Sequence, residues 1–302
     1  MSKPRIRIRD SAARDGLQGE RPVDPSGRAD LVRRLIDAGL ADVEVAAFVS
    51  PRAVPAMAGA ADVVAAAQDA ARNAAQDVRI WALVPNVRGA ELATGAGVDH
   101  VTITVSASPT YSTKNVGMSV DEALDQVDEI RAASPGAVLD EVISFAFGSA
   151  YDGESLTPDV IAAMVGRARD AGVDQVTLAD TTGVATPGRV ADVLDLVGTD
   201  VGLHLHDTRA TALLNAWTAI ERGVTRFDTA LGGLGGSPFA PAAGGNLATE
   251  DLVMVLDDAG IDTGVDLDAL LAAGPVLADL VGHDLPSRVA ASGGIPARPT
   301  PA

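Results

Sequence analysis

Two of the chain's four histidines, His204 and His206, stand two residues apart in "GLHLHDT". On a β-strand that spacing sends both imidazoles to one side. Paired neutral imidazole nitrogens can hold a cation, or each can simply hydrogen-bond at a polar strand end. Upstream, "DSAARDGLQGE" offers Arg14 and Asp15. A carboxylate and two imidazoles make a facial ligand set for a divalent metal with positions left open for water or substrate. The same residues also suit an ordinary Asp-Gly turn beside a solvated arginine. Glu44 in "VEVAAF" and Asp180 in "TLADTTG" interrupt apolar runs, where a lone carboxylate must be paired or hydrogen-bonded. "SASPTYSTKNVG" adds hydroxyls, Lys114 and Asn115, groups able to grip phosphate or the polar arm of a large substrate. A Schiff-base lysine normally sits on a buried strand, so Lys114 in this polar loop is a poor candidate for one.

These residues must be positioned by a regular scaffold. Strand candidates fall at 5–9, 41–45, 79–83, 100–104, 141–147, 175–179, 201–206 and 226–229, and amphipathic helical patterns lie between them, such as 26–38, 119–133, 158–171 and 187–197. Thr157-Pro158 and Thr186-Pro187 read as helix starts. Strict alternation implies a parallel sheet, and eight units fit a closed (β/α)8 TIM barrel better than an open sheet. The expected organisation is a single domain over residues 1–292, with one or two additional C-terminal helices around 266–281 and a disordered tail at 293–302. Chemistry in such a barrel gathers at the C-terminal strand ends, where all the polar residues above are expected. "GGLGGSPFAPAAGGN", Gly232 to Asn246, reads from composition as either a slack connector or a loop folding tightly over a substrate.

Composition removes other classes. Forty-one acidic against 23 basic side chains leave a net charge of −18, which repels nucleic acid and anionic membranes. No cysteine is present, so a metal must be held by imidazole, carboxylate, amide or water. No apolar run is long enough to span a membrane, and the first residues lack a signal-peptide core, so a cytoplasmic location is expected.

"RDGLQGE", "FVSPRAVPAM", "ALVPNVRG", "YSTKNVGMS", "LADTTGVATPG", "LHLHDT", "GLGGSPFAPAAGGNLATEDLV" and "GIDTGVDL" together resemble the hydroxymethylglutaryl-CoA lyase family, metal-dependent barrel lyases related to isopropylmalate synthases. The resemblance covers nearly the whole chain. It implies that Asp15, His204, His206 and Asn246 bind a divalent metal, Mg2+ or Mn2+. It implies further that Arg14 stabilises enolate charge, that Glu44 and Asp180 surround the substrate, and that Glu250 and Asp251 form a carboxylate pair behind the metal loop. Arg21, in place of a lysine, and Asn115 are expected along the CoA groove. The implied reaction is metal-assisted cleavage of a 3-hydroxyacyl-CoA to acetyl-CoA and a keto acid, with Asp180 or His204 as the base. A homodimer and a place in leucine degradation are implied as well.

The family motif GLGGCP carries a cysteine proton donor, and here Ser237 stands in its place. A hydroxyl is a far weaker acid than a thiol, whose pKa is about 8.5. Arg209 and Ala210 stand where the family usually has tyrosine and glycine, and Phe239 replaces a tyrosine. Three activities fit: a lyase of this family, a related metal-dependent aldolase or acyl-CoA synthase, or a catalytically weakened acyl-CoA-binding homologue.

Overall fold

The computed structural model describes residues 5–236 and 244–296; Ser237, Phe239 and residues 297–302 of the expected disordered tail lie outside the described residues. Its parallel strands are β1 Arg7–Asp10, β2 Asp42–Ala47, β3 Arg79–Leu83, β4 His100–Ser106, β5 Val138–Ser144, β6 Gln175–Ala179, β7 Gly202–His204 and β8 Arg226–Thr229. Each pairs with the next, and β1 pairs with β8 with Asp10 opposite Thr229, closing the barrel. Parallel neighbours need a crossover, and helices supply it. Among the described residues the crossover helices are α1 Pro25–Asp37, α2 Ala60–Asn73, α3 Val87–Gly95, α4 Pro109–Val116, α5 Val120–Ala133, α6 Pro158–Asp170, α7 Pro187–Val197 and α8 Ala212–Arg222, and α9 Thr249–Asp258, α10 Leu267–Val281 and α11 Arg288–Ser292 follow β8. The fold is the expected TIM barrel with additional C-terminal helices. No helix among the described residues is long and apolar enough to cross a membrane.

Apolar side chains on the outward parity of the strands meet the helices. Helix α1 starts at Pro25 and turns Leu31, Val32, Leu35 and Ile36 inward, all fully buried. Each stabilises the fold by about 1.5–3 kcal/mol relative to exposure. The extra helix α10 packs on α1 and α9, and α11 packs on α9.

Two strands end earlier than their sequence patterns suggest. Strand β5 stops at Ser144, because Phe145 adopts a left-handed backbone with φ 63° while its buried ring packs 4.9 Å from Tyr111 and 5.7 Å from Tyr151. Strand β7 stops at His204, after which Leu205 and His206 leave the barrel ladder. The Leu205 carbonyl accepts from Leu247 N–H at 2.8 Å, and His206 bridges Asn246 in antiparallel sense. A segment more than forty residues downstream therefore takes over the end of this strand.

Candidate active site

Past β1 the chain makes one π-helical turn, Ala12–Gly16, in which Gly16 N–H donates to the Ser11 carbonyl at 3.1 Å. Such turns are rare and concentrate at functional sites. Buried Asp10 anchors this one. Its Oδ1 accepts from Ala12 N–H at 2.8 Å, and its Oδ2 accepts from Leu231 N–H at 2.8 Å and the Thr249 hydroxyl at 2.5 Å. Burial pushes the Asp10 carboxyl up to about 6, against these hydrogen bonds. The turn presents Arg14 and Asp15 side by side. Arg14 Nε and Nη2 each lie 2.5 Å from Glu44 Oε2, and Nη1 lies 2.7 Å from Asp15 Oδ1. The second Glu44 oxygen accepts from the Thr102 hydroxyl.

Asp15, His204 and His206 converge so that one ligand atom from each lies within 4.8 Å of the others, a possible metal site. His206 Nδ1 donates to the Asp180 carbonyl at 2.9 Å, which fixes the tautomer and leaves Nε2 as a lone pair. Burial, reinforced by His204, lowers the His206 pKa to about 4, so its imidazole is neutral. His204 Nδ1 lies 3.3 Å from Asp228 Oδ2, and its Nε2 lies 3.9 Å from Asp15 Oδ2. Burial lowers the His204 pKa, but Asp228 and Asp15 outweigh it and the net shift is upward. For Asp15, burial raises the pKa, but Arg14, His204, His206 and the Asn246 hydrogen bond together outweigh it and bring it down to about 2. Asn246 donates from Nδ2 to Asp15 Oδ2 at 2.7 Å and to the Leu234 carbonyl at 2.8 Å.

Among the described residues, His206 Nε2 and Asn246 Oδ1 are buried without any hydrogen-bond partner. Orphaned buried acceptors are costly unless something else satisfies them. Two imidazole nitrogens, a carboxylate and an amide oxygen suit a hard or borderline divalent cation, and a cation here would satisfy both orphans at once. The donor set therefore fits the metal that the sequence implies. Close approach requires glycine at Gly235, where a Cβ would meet Asn246 Nδ2 and come within 2.9 Å of Asp15 Oδ2.

The other expected site residues divide. Arg14, Asp15, Asn115, His204 and His206 line one cavity of about 360 Å³, together with Asn86, Thr104, Tyr111, Ser144, Thr181 and Asp228. Glu44 is buried behind Arg14 and is not among the lining residues. Asp180 falls on the outward parity of its strand, since Ala179 and Thr181 line the cavity. Its Oδ1 instead accepts from Val184 and Ala185 N–H at 2.8 and 3.0 Å, as "DTTG" turn chemistry allows. Burial pushes Asp180 up to about 6. Arg21 lies apart from the cavity, donating to the C-terminal carbonyls of α10 at Asp279 and Leu280, both at 3.0 Å. Lys114 sits over the Tyr151 ring at 4.6 Å. Behind the loop, Glu250 accepts from Gly232 N–H at 3.0 Å, and Asp251 accepts from the Ser287 hydroxyl at 2.7 Å.

Asp10, Asp228 and Arg9 belong to no motif that marks them in the sequence. The signal for Arg9 lay in "RIRIRD". If the isoleucines must face the helices of a closed barrel, the intervening arginines must point into it.

The HMGL-like family matches residues 5–277 of the sequence. This chain belongs to the HMGL-like family. Among its HMGL-like relatives, the (R)-citramalyl-CoA lyase of Chloroflexus aurantiacus is 40% identical over 95% of each chain. The mitochondrial hydroxymethylglutaryl-CoA lyase of Bos taurus is 38% identical over 94% of this chain and 88% of its own. An HMG-CoA lyase structure from Acinetobacter baumannii, in complex with coenzyme A and 3-methylmalate, superposes with a TM-score of 0.87 at 34% identity, covering 98% of both chains.

Proposed function

We propose that this protein is a divalent-metal-dependent carbon–carbon lyase acting on the CoA thioester of a branched 3-hydroxy diacid, releasing acetyl-CoA and a keto acid. The observation that carries the reading is the convergence of Asp15, His204 and His206, with Asn246 hydrogen-bonded to Asp15 and two orphaned buried acceptors, beside a cavity that also holds Arg14. Hydroxymethylglutaryl-CoA and citramalyl-CoA, the substrates named in its relatives, share a tertiary hydroxyl on the carbon that is cut.

Bound by these four side chains, Mg2+ or Mn2+ would act as a Lewis acid that lowers the pKa of that hydroxyl. Arg14 is held by Glu44 and Asp15 at fixed distance, so its guanidinium is preorganised for the negative charge that develops on the thioester oxygen as the bond breaks. Neither group expected as base is free for that role: Asp180 is turned into its own loop, and His204, held at Nδ1 by Asp228, has only the Nε2 that would bind the cation. Asn115 and Asn86 supply amide hydrogen bonds for the acyl-CoA arm. Ser237, or a water, would deliver the proton that turns the enolate into acetyl-CoA. A hydroxyl makes this step slower than a thiol would.

The test is acetyl-CoA release from hydroxymethylglutaryl-CoA and from both citramalyl-CoA enantiomers, after chelation and after restoring Mg2+ or Mn2+. Metal-dependent release is expected from at least one. Undiminished turnover after chelation would sink the ligand assignment. Turnover of hydroxymethylglutaryl-CoA that emerges only in the Ser237→Cys variant would locate the divergence at that hydroxyl.

A further inference from the structure

Beneath the candidate metal site the barrel interior is charged. Layers of aliphatic side chains are usual at this depth. Here Arg9 of β1 points inward, almost fully buried, with every arm of its guanidinium engaged. Nε lies 2.8 Å from Asp228 Oδ1, Nη2 2.7 Å from Asp228 Oδ2, and Nη1 2.8 Å from Asp140 Oδ2. Its carbon lies 4.7 Å from the centre of the Trp81 ring. Asp140 is held in turn by the Thr177 hydroxyl at 2.9 Å. Two carboxylates and an indole from three other strands thus leave Arg9 a single geometry.

The Asp228 oxygen that takes Arg9 Nη2 is also the one 3.3 Å from His204 Nδ1. We infer that Arg9 is a positioning residue for the metal site: it fixes Asp228, Asp228 accepts the Nδ1 proton of His204, and the Nε2 lone pair is thereby aimed toward Asp15 and His206. A ligand histidine needs its other ring nitrogen engaged so that tautomer and ring orientation are set, and such partners are typically worth about 10–100-fold in metal affinity. His206 receives this support from a backbone carbonyl, which needs no further help. His204 receives it from a side chain, which must itself be held. The bidentate fork of arginine does this in a way lysine cannot reproduce.

The inference rests on the metal-dependent reading, and its test separates the two. Mn2+ affinity would be measured by electron paramagnetic resonance on the purified full chain for wild type, Arg9→Lys, and the charge-compensated Arg9→Met/Asp140→Asn pair. Thermal melting of each metal-free protein would report folding. Wild type is expected to bind Mn2+, Arg9→Lys about 10-fold more weakly, and the double variant up to about 100-fold more weakly, with folded protein in each case. Because a variant can fail to fold, the 15N spectrum of histidine-labelled, metal-free wild type supplies an independent reading. His204 is expected to carry its proton on Nδ1. Unchanged Mn2+ affinity in folded variants with only a lowered melting temperature, or an Nε2-protonated His204 in wild type, overturns the positioning role. Absence of Mn2+ binding by wild type overturns the metal reading itself, and the positioning role with it.

Discussion

Replacing Glu44 by glutamine tests the clamp that holds Arg14. The two side chains have nearly equal volume, so the substitution opens no cavity and removes only one buried charge. In the native arrangement two Arg14 nitrogens lie 2.5 Å from Glu44 Oε2, and the other oxygen takes the Thr102 hydroxyl. Glutamine has a single acceptor to offer both partners, and its amide turns a donor toward a donor. Breaking one side of a buried pair costs about 3–5 kcal/mol. Arg14 keeps Asp15 at 2.7 Å and one hydrogen bond to the new carbonyl, so the lower end, about 3 kcal/mol, is expected. At about 2–4 °C per kcal/mol, that lowers the melting temperature by about 6–12 °C. Freed from one side of its clamp, Arg14 no longer meets the developing charge at fixed distance, and kcat is expected to fall at least about 10-fold with KM little changed. Scanning calorimetry and steady-state kinetics on one preparation check both. A melting point within about 1 °C of wild type together with kcat within about twofold would refute the clamp.

Two further perturbations address stability. Glu141 of β5 is fully buried between α5 and α6 with neither oxygen hydrogen-bonded among the described residues, and burial, helped by Asp140, pushes its carboxyl up to about 7. A group that holds its proton more tightly when folded stabilises the protein below its unfolded pKa and loses that contribution as the pH rises through its folded one. Stability should therefore decline between about pH 4.5 and pH 7. Glu141→Gln should flatten the decline and exceed wild type at pH 8 by on the order of 2 kcal/mol in urea titrations; parallel pH profiles would count against it. Ala210, with φ 56°, occupies a left-handed position. Ala210→Gly should therefore stabilise by about 0.5–1 kcal/mol, and a lowered calorimetric melting point would contradict this.

The barrel was legible because each strand–helix unit carries its own hydrophobic period, and that signal is local. What failed was non-local. Nothing in "VGLHLHDT" announces that the strand is cut at His204 so that His206 can pair with Asn246. The possible metal site of Asp15, His204 and His206 was legible through residue types, with the two histidines on one parity. Asp180 lies one residue beyond β6, and with Ala179 and Thr181 facing the cavity its side chain turns away, an alternation that residue type alone does not reveal. Arg9 and Asp228 went unnoticed because charged residues alternating with apolar ones ordinarily mark a solvated face, and only closure of the sheet turns that face inward.

The pairing at Asn246 has a consequence for how this enzyme can diversify. Asn246 N–H donates to the Leu234 carbonyl at 3.3 Å and its side chain to the same oxygen at 2.8 Å, while Leu247 is tied to Leu205. The glycine-rich segment therefore leaves and rejoins the barrel at a single stapled point, and Asn246, the proposed fourth ligand, belongs to the staple. Loop-closure entropy grows only slowly with length, so added residues between the staple's two sides cost little, although Gly235 itself cannot take a side chain without meeting Asn246 and Asp15. On the proposed mechanism catalysis is modular: proton delivery belongs to one loop, while the electrophilic centre stays under separate, barrel-borne control.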